Sequence, residues 1–186
     1  MAFVAGLWVA SLVALAPTAT ALVDAASVGS LALGAEALLL IGVTVGTLVF
    51  SDAFSGVFHW ATDNYGNKNT PVFGGVIDAF QGHHGNPWTI THRSFYNNVH
   101  KIARAAIPLL GLCCVVSASP EWRLFAVLFL NAQVMSQEFH KLAHEPRPPK
   151  WAQALQKSNL AISKKVHTME DYNCRIARHH LAGDLP

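Results

Sequence analysis

Asp52-Ala53-Phe54-Ser55-Gly56-Val57-Phe58-His59-Trp60-Ala61-Thr62-Asp63 closes an apolar run that begins near Leu31, and this stretch decides the fold. A bilayer core of about 30 Å needs roughly 20 mostly apolar residues to cross it as a helix. From Leu31 to Trp60 only Glu36 and Asp52 are acidic and no residue is basic. Asp52, His59 and Asp63 follow one another at steps of seven and four, which lines them along one helix face as it leaves the membrane. An acid about 10 Å below that exit is costly in lipid, so Asp52 is expected to face a polar interior. It either supports a site or bonds to a neighbouring helix, whereas His59 is expected at a metal.

Working outward, three further apolar stretches come close to spanning length: about Ala2 to Val23, interrupted by Pro17, about Ile102 to Val116, and about Trp122 to Phe139. The turn-forming Ser117-Ala118-Ser119-Pro120 separates the last two, which are short and read as a tilted helical hairpin. The fold expected is therefore all-α, an integral membrane bundle of about four transmembrane helices. The first stretch has the apolar body and Ala-rich tail of a signal sequence but lacks a basic n-region, so it reads as a retained span. No Arg- and Ser-rich transit segment is visible either.

Composition agrees. Of 186 residues 52% are hydrophobic and only 13% charged, about half the charge of an ordinary soluble domain. The net charge is +2 and the first basic residue is Lys68, which excludes a basic nucleic-acid surface. Four crossings put the Ala61–Lys101 connection, the end of the fourth span and the C-terminal tail on one side, leaving only Arg123 of the 13 basic residues on the other. The positive-inside rule reads that side as facing cytoplasm or stroma. Cys113, Cys114 and Cys174 make no disulfide framework, and the adjacent pair packs as small soft side chains.

All ten histidines lie between His59 and His180, on the same side in this topology. Gln133, Gln137, His140 and His144 form a polar stripe at steps of four, three and four on the fourth span, and His140 with His144 offers two imidazoles to one metal region. His83 and His84 are bracketed by Gly82, Gly85 and Pro87, turn chemistry that frees the pair from helical directions, so that the neighbours can serve two adjacent metals or one can ligate while the other fixes it. His100 follows Asn97-Asn98-Val99. Imidazole suits zinc, copper, iron and nickel alike, so the residues alone do not select the metal. His92, beside Arg93, reads as a headgroup or solvent contact. No His-Glu-x-x-His motif, Gly-x-Ser-x-Gly elbow or phosphate loop is present.

At these residues the sequence resembles the membrane lipid desaturases that include the plant plastid palmitate desaturase, which makes a trans double bond in phosphatidylglycerol, and the animal plasmanylethanolamine desaturase. The matching stretches are Ser55-Gly56-Val57-Phe58-His59-Trp60 with Asp63-Asn64-Tyr65-Gly66, Phe80-Gln81-Gly82-His83-His84, Pro87-Trp88-Thr89-Ile90-Thr91, Asn97-Asn98-Val99-His100, and Ser136-Gln137-Glu138-Phe139-His140 with His144. They cover about Leu31 to Ile176, and the plastid branch looks closer. The resemblance implies an oxidoreductase with two non-haem iron ions, dioxygen as co-substrate, a membrane phospholipid acyl chain as substrate and an external electron donor such as ferredoxin. It implies a chloroplast membrane, with the endoplasmic reticulum as the alternative. It carries over His59, His83, His84, His100, His140, His144 and His167 as iron ligands, with Asp52, Asp63 and Gln137 supporting them. The domain reading is a first span over 1–30, a desaturase domain over 31–176 and a divergent tail over 177–186.

The family's last box, His-x-x-His-His, departs here. After His167 the chain reads Thr168-Met169-Glu170-Asp171-Tyr172-Asn173-Cys174, and His179 and His180 follow only twelve residues on. Either that pair supplies the missing ligands, or the site is incomplete, or the tail reflects a truncated sequence. The rivals to an active desaturase are a catalytically degenerate desaturase-like protein and a His-rich membrane metal carrier. A carrier should hold its ligands near the midplane at a repeat interface, whereas these sit at helix ends.

Overall fold

The computed structural model describes residues 1–117, 119–158 and 160–162, and among them every regular element is helical. The protein is an all-α integral membrane protein. Helix α1 (Ala2–Ala14) gives way at Leu15 to α2 (Ala16–Val28), whose second residue is Pro17; a proline lacks the N–H that an ongoing helix needs and suits the first turn of a new one. At Gly29 the backbone adopts φ 142°, which favours glycine, and α3 (Ser30–Asn64) begins. At 35 residues α3 is about 52 Å long, well beyond the bilayer core. Then come α4 (Gly74–His83), a 3-10 turn (Pro87–His92), α5 (Phe95–Val116), α6 (Pro120–His144) and α7 (Lys150–Lys157).

Among the described residues three helical stretches are long and apolar enough to cross a membrane: Ala2–Val28, Ser30–Asn64 and Phe95–Val116. Helix α6 has the length, but Asn131, Gln133, Ser136, Gln137 and Glu138 lower its hydropathy. The long α3 is only 11% buried over its most apolar window, and Leu31, Leu38, Leu39, Ile41, Val45, Leu48 and Val49 all lie exposed. Such a surface suits lipid rather than water. Thr44 and Thr47 return their hydroxyls to the carbonyls of Leu40 and Val43, at 2.8 and 2.6 Å, so no polar side-chain hydrogen is left to lipid there. Helix α5 starts earlier than the apolar pattern predicts because its polar first turns, Phe95 to Lys101, are helical too.

The chain divides into two compact units, Met1–Ala53 with Phe95–Gln137, and Phe54–Ser94 with Glu138–Pro186. In the first, α1 packs on α5, and Val4, Leu7, Val99, Ala103, Ala106, Leu110, Ala126, Val127 and Val134 form the core. Its alanines let backbones approach closely, the packing that substitutes for a hydrophobic driving force in lipid. Asn131 donates to Ser11 Oγ at 2.9 Å and Gln133 to the Ser51 carbonyl at 3.2 Å, tying α6 to α1 and to α3. The second unit carries the histidine clusters.

Candidate metal centre

The last turns of α3 place His59 and Asp63 one turn apart on a common face, with His59 Nε2 3.1 Å from Asp63 Oδ2. The Asp63 side chain is wholly buried and its other oxygen lies 2.9 Å from Nε2 of the buried His84. Helix α4 brings His84 there because Gln81 Nε2 donates to the carbonyls of Thr62 at 3.2 Å and Gly66 at 3.4 Å, fastening α4 to the end of α3. His83 turns to a different set. Its Nε2 lies 2.8 Å from Nε2 of His140 and 3.0 Å from Nε2 of His144.

Two triads result, His83–His140–His144 and His59–Asp63–His84, and within each the potential ligand atoms all lie within 4.8 Å of one another. They adjoin: the His59 and His140 rings stack at 5.4 Å between centroids, and those of His83 and His84 are 6.2 Å apart. His83 is the last residue of α4 and His84 caps it with helical φ and ψ of −62° and −22°. The pair diverges by the helical step of about 100° between successive residues, where the glycines and proline predict release from helical directions. The helix end thus turns His83 toward His140 and His144 and His84 toward Asp63.

The donor chemistry fits a metal ion. A neutral imidazole carries its proton on one nitrogen and a lone pair on the other, so three converging imidazoles offer lone pairs that one cation can share. With metal–nitrogen bonds of about 2.0–2.1 Å, nitrogens at right angles lie about 2.9 Å apart and tetrahedral ones about 3.3 Å. Separations of 2.8 and 3.0 Å put the three ring nitrogens within reach of one ion. The other triad, two histidines and a carboxylate, is a donor set typical of non-haem Fe(II).

Phe80 meets the His59 ring edge-on at 5.0 Å, Phe58 meets Phe80 at 5.9 Å, and Phe54 stacks on Phe58 at 6.1 Å. This aromatic row borders the carboxylate triad with apolar surface. Phe58, Phe80 and Gln81 are functional candidates that spacing does not single out. Their one sequence signal is that all three fall inside the stretches quoted for the resemblance.

The remaining predicted residues are placed as follows. His100 lies on α5 in the first unit, its Nδ1 2.9 Å from the Asn97 carbonyl, and belongs to neither triad. Asp52 is exposed on α3, not enclosed. Gln137 accepts a hydrogen bond from Asn98 Nδ2 through its carbonyl at 3.0 Å. Exposed His92 contacts the Trp88 ring at 5.8 Å and belongs to neither triad. His167, His179 and His180 lie outside the described residues.

Residues 48–177 match the family described as lipid desaturase domain. Among curated relatives, a chloroplastic fatty acid desaturase 4-like protein of Arabidopsis thaliana is 42% identical over 121 residues, 64% of this chain and 41% of that one. Chloroplastic fatty acid desaturase 4 of the same plant is 39% identical over 136 residues, 72% of this chain and 39% of that one. A plasmanylethanolamine desaturase of Myxococcus xanthus is 31% identical over 146 residues, 73% of this chain and 51% of that one. The chain thus spans about two fifths to one half of the length of these relatives. No solved structure matches. With its histidine triads lying inside the matched segment, the chain belongs to the lipid desaturase domain family.

Proposed function

We propose that this protein is a non-haem di-iron acyl-lipid desaturase of a chloroplast membrane, acting on a phospholipid acyl chain, with phosphatidylglycerol palmitate as substrate and ferredoxin as electron donor. The observation that carries this reading is the pair of adjoining triads, assembled from the end of α3, the end of α4 and the end of α6. The chloroplastic names of the plant relatives support the location.

In this reading His83, His140 and His144 hold one iron and His59, His84 and Asp63 the other. A di-iron centre supplies dioxygen activation and hydrogen abstraction from an unactivated acyl carbon. Asp63 brings a negative charge into a buried cluster of neutral imidazoles, which offsets the charge of a divalent ion where water cannot. The row Phe54, Phe58 and Phe80 keeps water from the His59 side and offers apolar surface to an acyl chain. Gln81 fixes the approach of α4 to α3, and with it the direction in which both neighbouring histidines point. His100 and His167 are ligands on the resemblance alone, and His179 and His180 are candidates only as replacements for the pair missing from its last box.

A degenerate desaturase is the second reading, favoured by Thr168-Met169-Glu170-Asp171 where the family's last box has its histidine pair. Anaerobic purification with elemental analysis and Mössbauer spectroscopy, alongside lipid analysis of a null mutant and its complemented line, separates the two. Two irons per chain with a restored double bond supports the enzyme. Stoichiometric zinc without iron ends the desaturase reading, and iron without restored desaturation supports the degenerate one.

A further inference from the structure

The connection from α3 to α4 carries little charge and much apolar surface for a loop in water. Between Asp63 and Asp78 the only charged residue is Lys68, where an average soluble segment is about one quarter charged. Its polar groups bond to one another. The Asn67 N–H donates to Thr70 Oγ1 at 3.0 Å, the Asn69 N–H to Asn67 Oδ1 at 2.9 Å, and the Gly74 N–H to the Thr70 carbonyl at 2.8 Å. Gly66, at φ 76°, admits this fold because a Cβ there would stand 2.8 Å from Thr70 Oγ1 and Ile77 Cδ1. The apolar residues are turned outward too, with Val72 94%, Phe73 53% and Val76 38% exposed.

The tip is also strained. Val72 has φ 65°, and the Phe73 N–H donates to the Pro71 carbonyl at 2.7 Å across it. That is a γ-turn of the rare positive-φ kind, in a β-branched residue that tolerates it poorly. The loop begins at Tyr65, one residue beyond the membrane helix α3, where Trp60 and Tyr65 meet edge-on at 5.3 Å, both about half exposed. Paired exposed aromatics at the end of a span mark headgroup depth, and Gln81 holds Gly66 against that level.

We propose that the 65–76 connection inserts into the bilayer interface, with Pro71, Val72 and Phe73 in the boundary between headgroups and acyl chains and Lys68 among the phosphates. The occupant is the membrane that α3 crosses, since the connection leaves that helix at the exposed Trp60–Tyr65 pair. The inference stands apart from the metal reading.

The test uses the full chain, with Cys113, Cys114 and Cys174 replaced by alanine, in vesicles of phosphatidylcholine and phosphatidylglycerol. Nitroxides are attached in turn to Lys68→Cys, Asn69→Cys, Val72→Cys, Phe73→Cys and Val76→Cys, and relaxation by oxygen is compared with relaxation by a water-soluble nickel chelate. Positions 72 and 73 are expected to favour oxygen several-fold more than positions 68 and 69. Equal chelate access at 69, 72 and 73 overturns the proposal, and so does shielding of 72 and 73 from both reagents, which would mean a protein partner. Should Val72→Cys disturb the turn, Phe73→Cys and Val76→Cys carry the same expectation.

Discussion

Nε2 of His83 stands 2.8 Å from Nε2 of His140, joining the end of α4 to α6 at an imidazole that also faces His144. One side chain thus completes a donor set that α6 alone leaves two-membered, since His140 and His144 share a helix face but not a third ligand.

His83→Ala is therefore expected to lower iron from about two to about one per chain, because the His59–Asp63–His84 triad keeps its own donors. Elemental analysis of anaerobically purified protein checks this. Retention of two irons would remove His83 from the site.

Asp63→Ala is expected to act on the other triad. It strips the acceptor from the buried His84 and the partly exposed His59, at a stability cost of about 1–3 kcal/mol. Metal affinity there should fall at least the 10–100-fold usual for lost carboxylate support. Asp63→Asn, which keeps one acceptor oxygen, should lose less stability. Thermal unfolding of the metal-free protein and metal titration read the two effects separately.

His59, His83, His100, His140 and His144 are expected on one side of the bilayer, from the apolar spans and the bias of basic residues. Cysteine substitution at each position with impermeant labelling decides it. Opposite labelling of positions 59 and 140 would end the single-site reading.

The altered last box gives the fourth prediction. If His179 and His180 replace the lost pair, changing both to alanine removes most metal and all desaturation. If they do not, the double change alters neither, and inserting two histidines three and four residues after His167 raises activity from an inactive start. Full starting activity unaffected by the double change would mean that seven histidines or fewer suffice.

The sequence makes the helices legible because long apolar runs and the Pro17 break act locally. It also makes His140 and His144 legible as partners, since helical spacing alone puts them on one face. What it does not disclose is which histidine joins which. His83 and His84 part company through a helix end that their flanking glycines disguise. The Phe80 contact with His59 and the hold of Gln81 on Thr62 join segments distant in sequence, and no periodicity within either segment records the pairing. Asp52 shows the converse. Its alignment with His59 and Asp63 is real, yet an exposed position on α3 follows from where neighbouring helices pack, which spacing cannot express.

The two triads differ in how much chain must exist before each can close. His59, Asp63 and His84 all belong to the stretch ending at α4, so a growing polypeptide carries this set before α5 has been made. The set of His83 with His140 and His144 spans 57 and 61 positions and waits for the end of α6. Closing the longer loop forfeits more chain entropy, though only logarithmically, so the greater delay comes from synthesis and insertion. If the triads hold metal as proposed, biogenesis is ordered: the carboxylate-bearing set can close first, and a chain halted before α6 would lack the other.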